Sequence, residues 1–177
     1  MLIYEALRED HRKIEDLLSQ LVGRDDGSEN RDSLIRRIRD EFVPHARAEE
    51  TVFYNSLRAI DSAKSIVMAG YQEHFEVESL LRLLQMRNVM DAEWRDTARK
   101  LKNVVEHHIR EEEGKIFSAA QQLFTKEEAG MMGAAFQKLK NEIADESAIA
   151  TTMELVANLM PPRFAKAFRS FNLESRL

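Results

Sequence analysis

No cysteine occurs anywhere in the 177 residues. Disulfide staples, thiolate zinc sites, iron–sulfur ligation and cysteine nucleophiles are therefore all excluded. Proline (3) and glycine (6) are scarce, so the chain has few breakers and few tight turns. No run of alternating β-branched residues marks a strand. No window approaches the ~20 apolar residues that a membrane span needs. Met1-Leu2-Ile3-Tyr4-Glu5 is not a basic leader ahead of an apolar run, so no secretory signal is read and a cytoplasmic location is expected. Basic residues are not in excess either. The net charge of −5 argues against a nucleic-acid partner, which calls for a basic face.

What remains is a helical composition. Hydrophobic residues make up 44% and charged residues 32%, the balance of a water-soluble globular chain. The length suits one sizeable core and slightly exceeds a bare four-helix bundle. The first helix is predicted over Ile3–Val22, with Ile3, Leu7, His11, Ile14, Leu18 and Leu21 on one face. A polar connection, 23–30, leads to a second helix from Asp32 to Ala59, kinked just before His45 by Pro44. A third is predicted to open at Asp61 and reach Asn88. A fourth runs from Ala92 to Leu123, with Asp91 as its N-cap. Short connections between four long helices predict an all-α, antiparallel up-down bundle. Thr125-Lys126-Glu127-Glu128 has capping-box spacing and starts a further helix carrying Met132, Phe136 and Leu139. A second C-terminal segment is expected from Glu146 to Met160. It is stopped by Pro161-Pro162 and followed by a tail with Phe164, Phe168 and Phe171 at one-turn spacing. The expected organisation is a bundle over 1–124 and a helical extension over 125–177 packed on it.

The five histidines carry the chemistry. Each has a glutamate four residues later: His11 and Glu15, His45 and Glu49, His74 and Glu78, His107 and Glu111, His108 and Glu112. One such pair is an ordinary contact one helical turn apart; five of five among 21 glutamates are a pattern. His11, His45, His74 and His108 fall one per helix on apolar rows, so an up-down bundle brings them to similar depth. Glu49 and Glu112 also lie in their rows. An unpaired carboxylate there is expensive to desolvate, and a cation removes that cost. Imidazole with carboxylate is a ligand set for iron, manganese or zinc, and two inward carboxylates allow two metals to be bridged. Glu15 and Glu78 flank their rows and are possible additional ligands. His107 lies off the row of His108 and is read as a rim residue, while Tyr54 and Tyr71 are candidates to hydrogen-bond a bound ligand.

These residues resemble the hemerythrin-like, or HHE cation-binding, domains. Asp10-His11 with Ile14 and Leu17-Leu18 looks like the first helix element of that family. His45-Ala-Arg-Ala-Glu-Glu-Thr-Val-Phe-Tyr54 looks like the second, Glu73-His74 with Leu80-Leu81 the third, and Glu106-His-His-Ile-Arg-Glu-Glu-Glu-Gly-Lys-Ile-Phe117 the fourth. The resemblance spans residues 2 to 124. It implies two iron ions in an oxo- or hydroxo-bridged di-iron centre, with His11, His45, Glu49, His74, His108 and Glu112 as ligands and the two glutamates bridging. It further implies a dioxygen, peroxide or nitric oxide ligand, with catalase-like peroxide decomposition as one activity. The rival expectation is an iron- or oxygen-sensing module without turnover, working through a protein partner or self-association of the C-terminal helices. Oxygen-carrying members have five histidines around the irons. Here Glu78 stands where such members place another, which points toward redox chemistry rather than oxygen carriage.

Overall fold

The computed structural model describes residues 1–23, 30–60, 63–86 and 91–144. Helix α1 (Ile3–Val22) buries Ile3, Leu7, His11, Ile14, Leu18 and Leu21, the face that the sequence row predicts. Helix α2 opens with Asn30–Glu49, passes through one π-helical turn, Glu50–Tyr54, and ends with Asn55–Arg58. The chain stays helical through Pro44; its departure from α geometry comes after Glu49. Hydroxyls of Thr51 and Ser56 donate back to the carbonyls of Arg47 and Val52, each at 2.6 Å.

Helix α3 (Met68–Met86) starts later than the sequence suggests. Residues 63–67 form a turn instead, and Ala63 and Val67 are 1% and 0% exposed. Burying those two side chains under the bundle end stabilises a bend where periodicity alone reads helix. The predicted opening residue, Asp61, and the predicted end, Asn88, lie outside the described residues. Helix α4 comprises Ala92–Glu111, a second π-helical turn, Glu112–Ile116, and Phe117–Leu123. Asp91 caps it, accepting from the Trp94 amide at 2.7 Å. Helix α5 (Lys126–Ala144) follows an extended Phe124. Its capping box is formed: the Thr125 amide donates to Glu128 at 2.9 Å and the Glu128 amide to the Thr125 hydroxyl at 3.2 Å. The segment 146–160 and Phe164, Phe168 and Phe171 lie outside the described residues.

The helices are neighbours in a closed order: α1 packs on α2, α2 on α3, α3 on α4 and α4 on α1, with α5 across α1 and α2. Two apolar clusters fill the bundle. One joins Leu7, Phe53, Val67, Phe117 and Phe136, near the start of α1 and the end of α2. The other joins Leu18, Ile38, Leu81 and Leu101, near the end of α1 and the first half of α2. That pairing of beginnings with ends makes the helices antiparallel in turn, the up-down bundle that the sequence predicts. Between the two clusters lies a layer of buried polar residues, Asp10, His11, His45, Glu49, His74, His108 and Glu112. Among the described residues no helix is long and apolar enough to cross a membrane.

Candidate metal centre

Helical spacing delivers the inner residues in pairs. His45 and Glu49 are one turn apart on α2, as are His108 and Glu112 on α4, while α1 and α3 contribute His11 and His74. Both glutamates stand at the junction where α geometry gives way to the π turn, a backbone irregularity frequent at functional sites. All six residues are 0–2% exposed.

The imidazole Nε2 atoms point inward. His11 Nε2 lies 3.1 Å from Glu112 Oε2, and His108 Nε2 lies 4.0 Å from the same oxygen. His45 and His74 present Nε2 to Glu49 Oε2 at 3.5 and 3.3 Å. Among the described residues two ligand groups result, His11–His108–Glu112 and Glu49–His74–His108, each with its donor atoms within 4.8 Å of one another; His45 is in neither group and borders them through Glu49, 3.5 Å from its Nε2.

Outward, each imidazole meets another carboxylate. His11 Nδ1 donates to Glu113 at 2.8 Å, His45 Nδ1 to Asp10 at 3.3 Å, His74 Nδ1 to Glu50 at 2.9 Å and His108 Nδ1 to Glu73 at 2.9 Å. The donors follow from network logic: an ionised carboxylate only accepts, so Nδ1 of each ring carries a proton, and whenever the ring is neutral its Nε2 lone pair faces the centre. Such carboxylate partners fix the tautomer and orientation of a metal-binding histidine and raise its basicity. The arrangement is cyclic. Asp10 of α1 serves the histidine of α2, Glu50 of α2 that of α3, Glu73 of α3 that of α4, and Glu113 of α4 that of α1.

The electrostatics of the protein atoms call for positive charge at this spot. Burial and the charge of Glu112 push the Glu49 carboxyl well above its ordinary range. Burial works against Glu112 ionising, yet the closeness of the Glu49 carboxyl and of the His11 imidazole, 3.1 Å away, holds it well below the usual carboxylate range. Burial alone lowers His11, but the closeness of Glu112 and the hydrogen bond to Glu113 carry it up to about 9. Burial brings His45 down to about 4, against the opposing pull of Asp10, and lowers His74 as well. Protons on His11 and Glu49 thus stand in for cationic charge between the carboxylates. Both oxygens of Glu49, both of Glu112 and Nε2 of His11 are buried without a hydrogen-bond partner. Orphaned acceptors at such density are rare in a folded protein, and one or two cations would satisfy them together. The donor set, four imidazoles and two carboxylates, suits a first-row transition metal.

Aromatic rings close the layer. Phe42 meets His74 edge-on at 5.7 Å, Phe136 meets His45 edge-on at 5.7 Å, and Tyr54 stacks on His74. A cavity of about 370 Å³ between the start of α3 and the second half of α4 runs up to Glu112, with Gly70, Glu73, His107, Lys115 and Ile116 in its walls.

Other sequence candidates sit elsewhere. Glu78 is turned to Arg47, 2.7 Å away, and joins neither ligand group. Glu15 is half-buried on the flank of α1 and also joins neither. His107 is on the rim, its side chain 58% exposed and 3.5 Å from Glu73. The Tyr71 hydroxyl donates to Asn55 at 3.2 Å, whereas the Tyr54 hydroxyl is buried without a partner. Sequence reasoning missed the outer carboxylates Asp10, Glu50, Glu73 and Glu113. A signal was present, since each is the chain neighbour of an inner residue: Asp10 of His11, Glu50 of Glu49, Glu73 of His74, Glu113 of Glu112.

Comparison with known proteins identifies a family. The family described as Hemerythrin HHE cation binding domain matches residues 2–120. Among solved structures, the fold resembles a Hemerythrin HHE cation binding domain-containing protein from Mycobacterium kansasii, a homolog of Rv2633c. It is 21% identical, with a TM-score of 0.73 over 94% of this chain and 99% of that one. No protein with a curated functional description matches the sequence significantly. With a family match over two thirds of its length and a buried His–Glu centre inside the matched region, this chain belongs to the hemerythrin HHE cation-binding domain family.

Proposed function

We propose that the chain binds two iron ions in the polar layer and uses them to react with dioxygen, peroxide or nitric oxide, with catalase-like peroxide decomposition as one such activity. His11, His45, His74 and His108 would hold the ions through Nε2, and Glu49 and Glu112 would bridge them. One observation carries the reading. His74 Nε2 and His108 Nε2 are 3.2 Å apart, while each ring donates its Nδ1 proton to a carboxylate. Two lone pairs then face each other in a dry core, an arrangement that repels unless a cation sits against both. Iron in that position supplies a change of oxidation state and an open coordination position for a small ligand.

The chain's own residues do the rest. The carboxylate ring holds the imidazoles in one tautomer. The two apolar clusters exclude bulk water and strengthen every charge interaction within the layer. The cavity against Glu112 offers a small neutral molecule a way in beside Glu73.

Metal analysis of freshly purified protein should give about two irons per chain, with absorption in the near-ultraviolet and visible. Added peroxide should release oxygen, and His45→Ala should abolish both iron and turnover. A folded chain that takes up no metal under iron-replete conditions would sink the reading. The second reading, an iron or oxygen sensor, is favoured by α5, which touches the layer through Phe136. It expects iron-dependent protease sensitivity over 125–177 without turnover.

A further inference from the structure

The outer carboxylates each have a second partner on the side away from the centre, and in every case it is a cation or a histidine. Arg8 Nε lies 3.0 Å from Glu113, Arg47 Nη1 lies 3.2 Å from Glu50 and His107 Nε2 lies 3.5 Å from Glu73. The fourth is Lys140 of α5, whose Nζ lies 2.8 Å from Asp10 Oδ1. The first three side chains are 40%, 48% and 58% exposed. Exposed ion pairs are screened by solvent and salt, so those three add little to the aim of their carboxylates. Lys140 and Asp10 are different, with side chains 13% and 2% exposed. A pair so largely withdrawn from solvent is screened far less.

From this contrast we propose that Lys140 is a positioning residue for His45, acting through Asp10. Helix α5, beyond the family-matched residues, would thereby become a working part of the metal centre. The inference rests on the iron reading of the layer. Asp10 divides its two oxygens: Oδ1 takes the ammonium of Lys140, and Oδ2 takes the Nδ1 proton of His45. Lys13 also pairs with Oδ1, at 3.6 Å, but its side chain is 49% exposed, so this longer, solvent-screened pair aims the carboxylate less than the ammonium of Lys140 at 2.8 Å. The second oxygen of Asp10 stays on His45, and His45 Nε2 stays on Glu49.

Helix α5 brings Lys140 to this point through one continuous face. Gly133 lies so close to the chain start that a Cβ there would collide with the Met1 carbonyl. Phe136, one turn on, meets the His45 ring edge-on. Lys140, a turn further, reaches Asp10 and also Glu41, 3.2 Å away and 40% exposed.

The test is metal retention by the full-length, iron-loaded chain, measured as the rate of iron transfer to an excess of a ferrous chelator after reduction, together with the visible spectrum before reduction. Lys140→Met keeps the aliphatic stem and removes the ammonium. It is expected to release iron about tenfold faster, the low end of what losing an outer partner costs a metal ligand, and to shift the visible band. Lys140→Arg should restore both. Glu41→Gln, which breaks the other ion pair of Lys140, should behave as wild type. Asp10→Asn with Lys140→Met should be no worse than Asp10→Asn alone, because both act on one link.

Wild-type release and spectrum in Lys140→Met overturn the proposal. So does equal loss in Glu41→Gln, which would make Lys140 a mere clamp for α5, and so does full additivity with Asp10→Asn. Should Lys140→Met fail to fold, the same comparisons with Lys140→Gln decide. A wild-type chain that takes up no metal defeats the iron reading and this inference together. A chain that holds iron equally tightly with and without Lys140 defeats this inference alone.

Discussion

The ring of Tyr54 lies flat on the imidazole of His74, with centroids 5.6 Å apart and planes within 9°. What keeps it there is Gly70. A Cβ at that position would stand 2.5 Å from the Tyr54 hydroxyl oxygen, 2.7 Å from Cε2 and 2.8 Å from Cζ. The ring has no room to retreat, being fully buried with His74 on one face and Tyr71 edge-on at 5.3 Å.

Gly70→Ala is therefore expected to destabilise the fold by about 1–3 kcal/mol, the usual cost of overpacking a closed core. Urea unfolding of the chelator-treated protein measures it. Because the displaced ring leans on His74, iron retention should fall as well. Wild-type stability and retention together would show that the ring is free to move.

Glu49→Gln separates function from stability. The buried Glu49 and Glu112 repel each other when both are ionised, so neutralising one should leave the metal-free protein at least as stable as wild type. Iron content should drop from about two to one or fewer per chain. Thermal unfolding with and without chelator, beside metal analysis, tests both halves. Lower metal-free stability with full iron content would reverse the argument.

The pH profile of the metal-free chain follows from opposed histidines. Burial lowers His45 from 6.5 to about 4, and between those values the unfolded chain binds a proton that the folded chain refuses. Its contribution is present above pH 6.5 and is lost as the pH falls toward 4; the lowered His74 works in the same direction. His11 runs the other way. Burial opposes its charge, but Glu112 and Glu113 carry it up to about 9, so its contribution is full below pH 6.5 and lost as the pH rises through 9. The raised Glu49 works in the same sense as His11 but from pH 4.5 upward, so below pH 6.5 it offsets part of the gain from His45 and His74. Stability should therefore decline as the pH rises from 6.5 through 9, and His11→Gln should flatten that limb. Melting temperatures from pH 4 to 10 in chelator provide the check; a steady rise from 6.5 to 9 would contradict the assignment.

Adjacent histidines should behave oppositely. His108→Gln is expected to lose iron, because Nε2 of His108 belongs to both ligand groups. His107→Gln should keep it, with stability within about 0.5 kcal/mol of wild type, since that side chain faces solvent. Glu78→Gln should also retain iron, its carboxylate being committed to Arg47. Metal content of the three purified variants decides the matter, and loss of iron in Glu78→Gln would return that residue to the ligand set.

Part of this is legible along one dimension. The rows through Leu7, His11 and Ile14, or through Val105, His108 and Glu112, reveal which side of a helix turns inward, because a period of 3.6 residues is a property of the chain itself. The same logic put Glu15 and Glu78 on the flanks of their rows. Less legible was the start of α3: the turn over 63–67 is composed of residues that also suit a helix, and the burial of Ala63 and Val67 settles it. The π turns after Glu49 and from Glu112 have no local sequence marker either.

By itself the sequence determined a cysteine-free, all-helical chain with one inward histidine per bundle helix and two carboxylates on inward rows. Residue spacing is enough for that. Only the tertiary structure decided that Asp10, Glu50, Glu73 and Glu113 close a ring around those histidines, that Tyr54 lies on His74, and that Lys140 reaches Asp10 from α5. Each of those contacts joins residues on different helices. Which side chains meet across a bundle depends on helix order, depth and rotation, and these are fixed by packing of the whole core rather than by the residues on either side in the chain.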